Sequence, residues 1–380
     1  MILKNIKYSE YEDRPNSWFL ENIELEMINL LVGKNASGKS RTVNVIAGLS
    51  NLLSGSQAEL FDSGNYIAEF VEGDSKYVYK LELANKNVLS ETLIIDDIEY
   101  LSRSSDGHCK IKAIELKSLM NIKVPANQIV AVIRRDEIQH PYLEKLFIWA
   151  SSVQHYQFGT SLGRESGIIF DDPKQISVNL RDNNQVTGML MKAIQEFDQE
   201  FIDEIIGDMR TIGYDLSEVG ACPNPNFSIL APGGMAIHLI YVKEVDRDSK
   251  TFQNEMSQGM FRALSLVIQL NFCQRVKRPS TILIDDIGEG LDFDRSAHLI
   301  SLLTHKSEDN QFQILMSTND KFVMNNVALK YWQVIKRINN VCKVFNYRNS
   351  KNIFEDFEFT GLSNFDFFTS EFYEQGFEKE

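Results

Sequence analysis

The chain is short of cysteine, histidine and positive charge, and it has no long apolar run. Its four cysteines, Cys109, Cys222, Cys273 and Cys342, stand far apart, with no CxxC pair and no histidine at zinc-finger spacing. They read as reduced, mostly buried small hydrophobes of a cytoplasmic protein. The six histidines are scattered and form no HExxH pattern, so hydrolysis by a His- or Cys-held metal is not expected. No stretch approaches the roughly 18 apolar residues that cross a bilayer, and the N-terminus lacks a basic segment leading into an apolar one. A membrane or secreted protein is therefore not expected. Lys and Arg number 39 against 53 Asp and Glu, a net charge of −14, which is the wrong sign for a surface that coats nucleic acid everywhere but leaves room for a local basic groove.

What is present is ordinary globular material. The 380 residues are 43% hydrophobic and 24% charged, enough for one large domain or two modest ones with a real core. Met1–Tyr11, Trp18–Leu25 and the apolar Met27–Val32 read as three strands, the last one buried. From Tyr66 to Lys112 short alternating runs are divided by turn residues at Gly73-Asp74, Asn85-Lys86-Asn87 and Asp106-Gly107, which predicts an antiparallel meander. Tyr142–Ala150 is apolar at mixed spacing. Val186–Ile212 reads as a helix buried through Met189, Met191, Ile194, Phe197, Phe201, Ile202, Ile205 and Ile206, and Met235–Val245 as another strand. Then helix and buried strand alternate: Ser257–Phe272 as a strongly amphipathic helix, Thr281–Ile284 as a strand, Arg295–Leu303 as a helix and Phe312–Met316 as a strand. That alternation points to an α/β fold with parallel strands covered by helices. The tail from Phe345 is rich in Phe and acid, and either completes the core or docks a partner.

The chemistry is concentrated in Gly33-Lys34-Asn35-Ala36-Ser37-Gly38-Lys39-Ser40, a full GxxxxGK[ST] between the buried strand and a helical segment beginning at Arg41. Gly33 and Gly38 let the backbone turn tightly so that N–H groups face phosphate oxygens, and the helix start adds partial positive charge. Lys39 reaches the outer phosphates as a point charge, and the Ser40 hydroxyl ligates Mg²⁺. The bland alternative is a glycine turn before a lysine. A partner acid follows in Thr281-Ile282-Leu283-Ile284-Asp285-Asp286, where Asp285 ends a buried strand and is the expected second protein ligand of the metal.

In their order these segments resemble the ATP-binding-cassette type of ATPase, and within it the soluble SMC-like and RecF-like branch of AAA family ATPases. Met256-Ser257-Gln258-Gly259-Met260-Phe261-Arg262 is similar to the family's signature motif, Gly290-Leu291-Asp292 to its D-loop, and Gln313-Ile314-Leu315-Met316-Ser317-Thr318-Asn319-Asp320 to its switch strand. The resemblance covers the first fifty residues and about Met235–Val344. It implies a P-loop NTPase with an ABC-ATPase-like mixed sheet, an antiparallel β meander and an inserted helical subdomain: residues 1–55 as the first part of the ATPase lobe, 56–245 as the insertion, 246–345 as the rest of the lobe, and 346–380 as the tail. It also implies that ATP held by residues 33–41, Arg41 included, is covered by Ser257, Gln258 and Gly259 of a second copy in a head-to-tail dimer or higher oligomer. Taken alone, Ser257–Arg262 is equally an ordinary helix start with Ser257 as its cap. Two positions depart from the family pattern. Asp286 stands where a glutamate base is usual, one methylene shorter, with Glu289 as a substitute base, and Asn319 replaces a histidine and cannot carry charge. Slow hydrolysis, or ATP used as a clamp, is the expectation. Gln154 and Gln157 are candidates for the glutamine that links ATP to the insertion.

No second catalytic constellation is visible. Asp96-Asp97, Asp171-Asp172 and Glu355-Asp356 read as solvated acidic pairs, and Arg134-Arg135 and Arg275-Val276-Lys277-Arg278 as basic clusters able to touch phosphate. An ATPase without an effector of its own has to act on something. The resemblance extends to sensor subunits of bacterial anti-phage defence systems, which hold a separate nuclease or toxin effector. A DNA-repair or DNA-clamp ATPase of the RecF kind is the alternative, with DNA as partner, and a transporter cassette fits least.

Overall fold

The structure, a computed structural model, describes residues 1–169, 176–224, 236–276, 281–310 and 312–377. The chain begins with strands β1 (Ile2–Glu10), β2 (Trp18–Glu24) and β3 (Ile28–Val32), then helix α1 (Lys39–Leu53). Six strands follow: β4 (Ser63–Glu72), β5 (Ser75–Ala84), β6 (Asn87–Ile95), β7 (Ile98–Arg103), β8 (His108–Ala113) and β9 (Ser118–Lys123), then α2 (Val130–Ile133) and α3 (Pro141–Ser152). The middle holds β10 (Gln154–Gln157), α4 (Val186–Ile212), β11 (Leu216–Pro223), β12 (His238–Glu244), β13 (Thr251–Phe252) and α5 (Gln258–Arg275). Next come β14 (Thr281–Asp285), α6 (Phe293–Asn310), β15 (Gln313–Thr318) and α7 (Lys321–Asn326). The chain closes with β16 (Trp332–Ile338), β17 (Val341–Asn346), α8 (Lys351–Glu358), α9 (Asn364–Thr369) and α10 (Phe372–Gln375). These elements form two compact units: Met1–Val153 with Gln313–Asn319 and Ala328–Glu380, and Gln154–Phe312 with Asp320–Val327.

The first unit is built on a mixed sheet in the order β15-β3-β16-β17-β2-β1-β4-β5-β6-β7-β8-β9. β3 is buried along its whole length because parallel neighbours flank it on both edges, with Ile28 opposite Ile314 and Leu30 opposite Trp332. Its one polar residue, Asn29, is saturated: Nδ2 donates to the Glu26 and Ile314 carbonyls and Oδ1 accepts the Glu26 N–H. From β1 outward the pairing is antiparallel, and the expected meander runs from β4 to β9. Its turns use left-handed residues, and Asp96-Asp97, both at positive φ, is the tight β6–β7 turn, with Asp96 accepting the Lys76 N–H. Alternate residues of β4 and β5, such as Phe70, Tyr79 and Leu81, point into a core closed by α1 and α3, where Phe70 meets Trp149 edge to face at 4.6 Å. Such an aromatic pair contributes about 1 kcal/mol beyond its buried area.

Glu91 on β6 is fully buried and accepts the Val130 and Ala131 N–H groups at the start of α2 and the Tyr79 hydroxyl. Beside it the buried Arg103 donates to the carbonyls of Pro125, Ala126 and Gln128. Burial raises the Glu91 carboxyl above the ordinary range, against the pull of those donors. The tail packs by aromatic contact: Phe354, Phe357 and Phe367 are buried, Phe367 reaches Trp332 of β16, and Tyr373 reaches Phe345 of β17. It therefore completes a core, although Phe359 and Phe377 remain exposed.

In the second unit β10 runs parallel to β14, α4 packs on α5, and β11, β12 and β13 form a small antiparallel sheet. Two expectations need correction. The long helix is broken at Asp198, whose φ of 54° and ψ of −148° no helix contains, so its buried side splits: Met189, Phe201, Ile202 and Ile205 are covered while Met191, Ile194, Phe197 and Ile206 are half-exposed. The helix expected to be amphipathic, α5, is buried on every side from Gly259 to Cys273. Its polar residues are absorbed internally, Ser265 donating to the Leu162 carbonyl and Asn271 to Asp208. Asp171-Asp172, Met235, Lys277 and Arg278 lie outside the described residues. None of the four cysteines is in a disulfide, and Cys222 alone is half-exposed.

Candidate nucleotide-binding site

Gly33 to Gly38 wrap between the end of β3 and the start of α1. Gly33 has no room for a side chain, since a Cβ there would lie 2.6 Å from the Ile335 carbonyl oxygen. Gly38, at φ 110°, takes a left-handed turn into α1, and a Cβ would meet the Cys342 sulfur at 2.7 Å. The helix therefore starts without a side-chain cap and without an acidic residue in its first turn, so its partial positive charge is not offset there by a carboxylate. The Ser37 hydroxyl, buried within the loop, has no hydrogen-bond partner among the described residues.

Lys39 is buried, and its ammonium donates to the Gly33 carbonyl at 2.7 Å, to the Lys34 carbonyl at 3.3 Å and to Asn319 Oδ1 at 2.7 Å. Asn319 just beyond β15 is thus brought to the loop, 280 residues away in sequence. Asn35, Ala36 and Ser40 are exposed, with Ala36 at φ 61°. Arg41 lies over the Trp18 ring at 4.5 Å and pairs with Glu10. Lys34 pairs with Glu371, a residue that sequence reasoning did not single out. This set fits a polyphosphate: a buried ammonium, a buried hydroxyl and a helix start without a side-chain cap, around two glycines packed too tightly to carry side chains. The Ser40 hydroxyl is a hard oxygen donor of the kind Mg²⁺ accepts. Among the described residues no group of three His, Cys, Asp or Glu side chains stands together as a metal site.

The remaining candidates belong to the second unit. β14 carries Asp285 at its carboxyl end and Asp286 directly after it at φ 57°. That left-handed backbone suits the short side chain of Asp better than Glu, which gives the departure at this position a conformational reason. Gln157 sits level with Asp285 across the β10–β14 pair and is exposed, whereas Gln154 is buried, so only Gln157 presents an open amide at that strand end. His155 is held below the ordinary imidazole range by burial, against the opposing pull of Asp285.

Ser257 caps α5, accepting the Met260 N–H at 3.2 Å, so the ordinary helix-start reading is satisfied here whatever else the residue does. Gln258 is exposed, and Gly259 lies against Gly290, whose carbonyl oxygen a Cβ on Gly259 would approach to 2.2 Å. Buried Arg262 locks that contact from below, donating to the carbonyls of Glu289 at 2.9 Å and Thr160 at 3.3 Å. The Glu289 side chain is exposed and borders Gly159. Two further residues, missed from sequence, hold the turn into Ser257. Arg164 donates to the carbonyls of Gln253, Asn254 and Met256, and Gln253 to those of Gly163, Arg164 and Ser166. Their partners lie about ninety residues away, so no spacing pattern could reveal them. A cleft of about 630 Å³ opens beside Ser257, Met260 and Arg295.

Of the basic clusters, Arg135 pairs with Glu144 and stacks on Phe147, and Arg275 pairs with Glu204. Among the described residues no helix is long and apolar enough to cross a membrane.

No protein-family model and no curated protein matches the chain. Among solved structures it is similar to an SmcHead bound to the C-winged helix domain of ScpA, at 11% identity and a TM-score of 0.54, over 90% of this chain and 97% of that one. It is also similar to the Smc head domain with an extended coiled coil bound to the C-terminal domain of ScpA derived from Pyrococcus furiosus, at 12% identity and a TM-score of 0.50, over 94% and 100% of the two chains. At these identities the likeness is one of fold: the chain has the mixed α/β ABC-type ATPase fold of Smc heads.

Proposed function

We propose that the chain binds ATP with Mg²⁺ at residues 33–41, hydrolyses it slowly, and acts as an oligomeric sensor that controls a separate effector protein, a nuclease or toxin, in bacterial anti-phage defence. The observation that carries the nucleotide reading is the buried Lys39 ammonium, parked on the Gly33 and Lys34 carbonyls and Asn319 inside an uncapped glycine loop. When bound, the nucleotide supplies the charged triphosphate that this loop otherwise lacks. Lys39 then exchanges its carbonyl acceptors for phosphate oxygens, and the loop amides and Ser37 hydroxyl orient the chain of phosphates. The metal is assigned to Ser40 and Asp285 by the chemistry of their oxygens. Asp286 takes the proton of the attacking water, with Glu289 as the alternative base, and Asn319 hydrogen-bonds the terminal phosphate without adding charge. A short base and a neutral switch residue both favour slow turnover. The oligomer follows from Ser257, Gln258 and Gly259 at the start of α5, where backbone N–H groups offer a second anion contact to a neighbouring copy. The effector and defence roles rest on the resemblance of free-standing cassettes of this kind to defence sensor subunits.

The test is Mg-ATP binding by calorimetry, phosphate release, and particle mass with and without nucleotide. Lys39→Ala should weaken binding about tenfold to a hundredfold, the loss expected for a charged hydrogen-bonding group. Asp286→Asn, which the left-handed backbone tolerates, should keep binding and lose hydrolysis. Wild type without ATP binding would overturn the reading, and strong stimulation by DNA ends would replace the sensor with a repair ATPase.

A further inference from the structure

Lys34, the second residue of the glycine loop, reaches away from Lys39 toward the C-terminal cap. Its ammonium lies 2.5 Å from Glu371 Oε1, and Glu371 Oε2 lies 3.0 Å from the ammonium of Lys336 on β16, which also meets Glu374. Four charges thus alternate in sign along one line from the loop to the cap. Isolated surface pairs contribute little, but a network whose members sit on ordered backbone contributes more. The order is visible: Glu371 stands at φ 54° between α9 and α10, its N–H bonded to the Phe368 carbonyl, and the next turn is anchored by buried Tyr373 against Phe345. A left-handed glutamate is unfavourable and persists where surrounding contacts impose it. The two lysines, Lys34 first, hold the Glu371 carboxyl below the ordinary carboxylate range, so it is ionised at neutral pH. A cleft of about 360 Å³ opens here, lined by Lys34, Ser37, Lys336, Asn339, Glu371 and Tyr373.

We propose that Glu371 is a positioning residue of the phosphate loop: by holding Lys34 it keeps that cation off the bound phosphates and sets the loop's affinity for nucleotide. The proposal rests on the reading of residues 33–40 as a triphosphate loop. Removing the carboxylate does two things at once. It frees one cation to turn toward a polyanion and removes a like charge from its neighbourhood.

The experiment is calorimetric titration of the full chain with Mg-ATP and Mg-ADP. Glu371→Gln should tighten ATP binding on the order of threefold to tenfold at low salt, less for ADP, with the gain fading toward high ionic strength. Glu371→Asp, which keeps the charge, should stay near wild type, and so should Glu374→Gln, which removes a carboxylate bonded to Lys336 and to no other side chain among the described residues. In a Lys34→Gln background the effect of Glu371→Gln should disappear, because the residue acts through Lys34. A persistent effect in that background, or unchanged affinity in Glu371→Gln while wild type binds ATP, overturns the proposal alone. Failure of wild type to bind ATP overturns the loop reading and this proposal with it.

Discussion

Gly259→Ala offers a sharp test of how the candidate signature helix is joined to the turn after β14. The added Cβ would stand 2.2 Å from the Gly290 carbonyl oxygen, 2.9 Å from its carbon and 3.0 Å from Leu291 Cδ2. Ordinary contact would need an opening of about 1 Å. Neither side gives easily, because Gly290 has its own left-handed φ of 84° and rests on the Arg262 guanidinium, which is bonded to Glu289 and Thr160. Overfilling of this kind costs about 1–3 kcal/mol, or roughly 3–10 °C in the unfolding midpoint of a unit this size. If the 286–292 turn serves ATP chemistry, a displacement of about 1 Å should lower turnover on the order of a hundredfold while leaving ATP affinity set by the loop at residues 33–41. Thermal unfolding beside single-turnover phosphate release decides the matter. An alanine variant with the wild-type midpoint and the wild-type rate would show that the contact is neither tight nor functional.

Three further outcomes follow from the first unit. Glu91→Ala strands two backbone N–H groups, a tyrosine hydroxyl and a nearby buried arginine, and should cost about 3–5 kcal/mol in urea unfolding; a loss under about 1 kcal/mol would mean the cluster is not closed. Gly38→Ala should destabilise the loop through Cys342, and adding Cys342→Ala should recover part of the loss, a coupling that a thermal-shift double-mutant cycle would detect. The ion network gives a pH signature whose sign is fixed by the lowered Glu371 carboxyl. Its contribution is present above the ordinary carboxylate range of about 4.3 and is lost as pH falls through the lower folded value. The gap in urea midpoint between wild type and Glu371→Gln should therefore hold steady above pH 5 and narrow as pH falls below the ordinary carboxylate value; a gap that widens on acidification contradicts the network.

Local signals were readable from sequence and remote ones were not. The glycine loop, β3 and the meander turns each depend on residues within a few positions, so motif and alternation suffice. Asp286 was noticed as a departure, yet the left-handed backbone at that position leaves no mark in spacing. α5 misled because its polar residues resemble a solvent face, whereas Ser265, Gln269 and Asn271 spend their hydrogen bonds inside. The break at Asp198 has no proline or glycine to announce it. Arg164, Gln253 and Glu371 act on segments roughly 90 to 337 residues distant, and only the folded chain brings them there.

The position of β3 also bears on how the chain is made. Both strands that flank it come late: 285 residues separate Asn29 from the Ile314 carbonyl it bonds, and β16 follows later still. At about 5–20 residues per second a ribosome needs roughly 15–60 s to deliver them. Through that interval the nascent N-terminal segment holds an apolar strand with both edges open, and Lys39 lacks Asn319. The neighbouring hairpins can close locally at once, so the meander is expected to fold first and wait. If residues 33–41 hold a nucleotide, its capture waits for those late strands, and chaperone dependence during synthesis should concentrate on the first fifty residues.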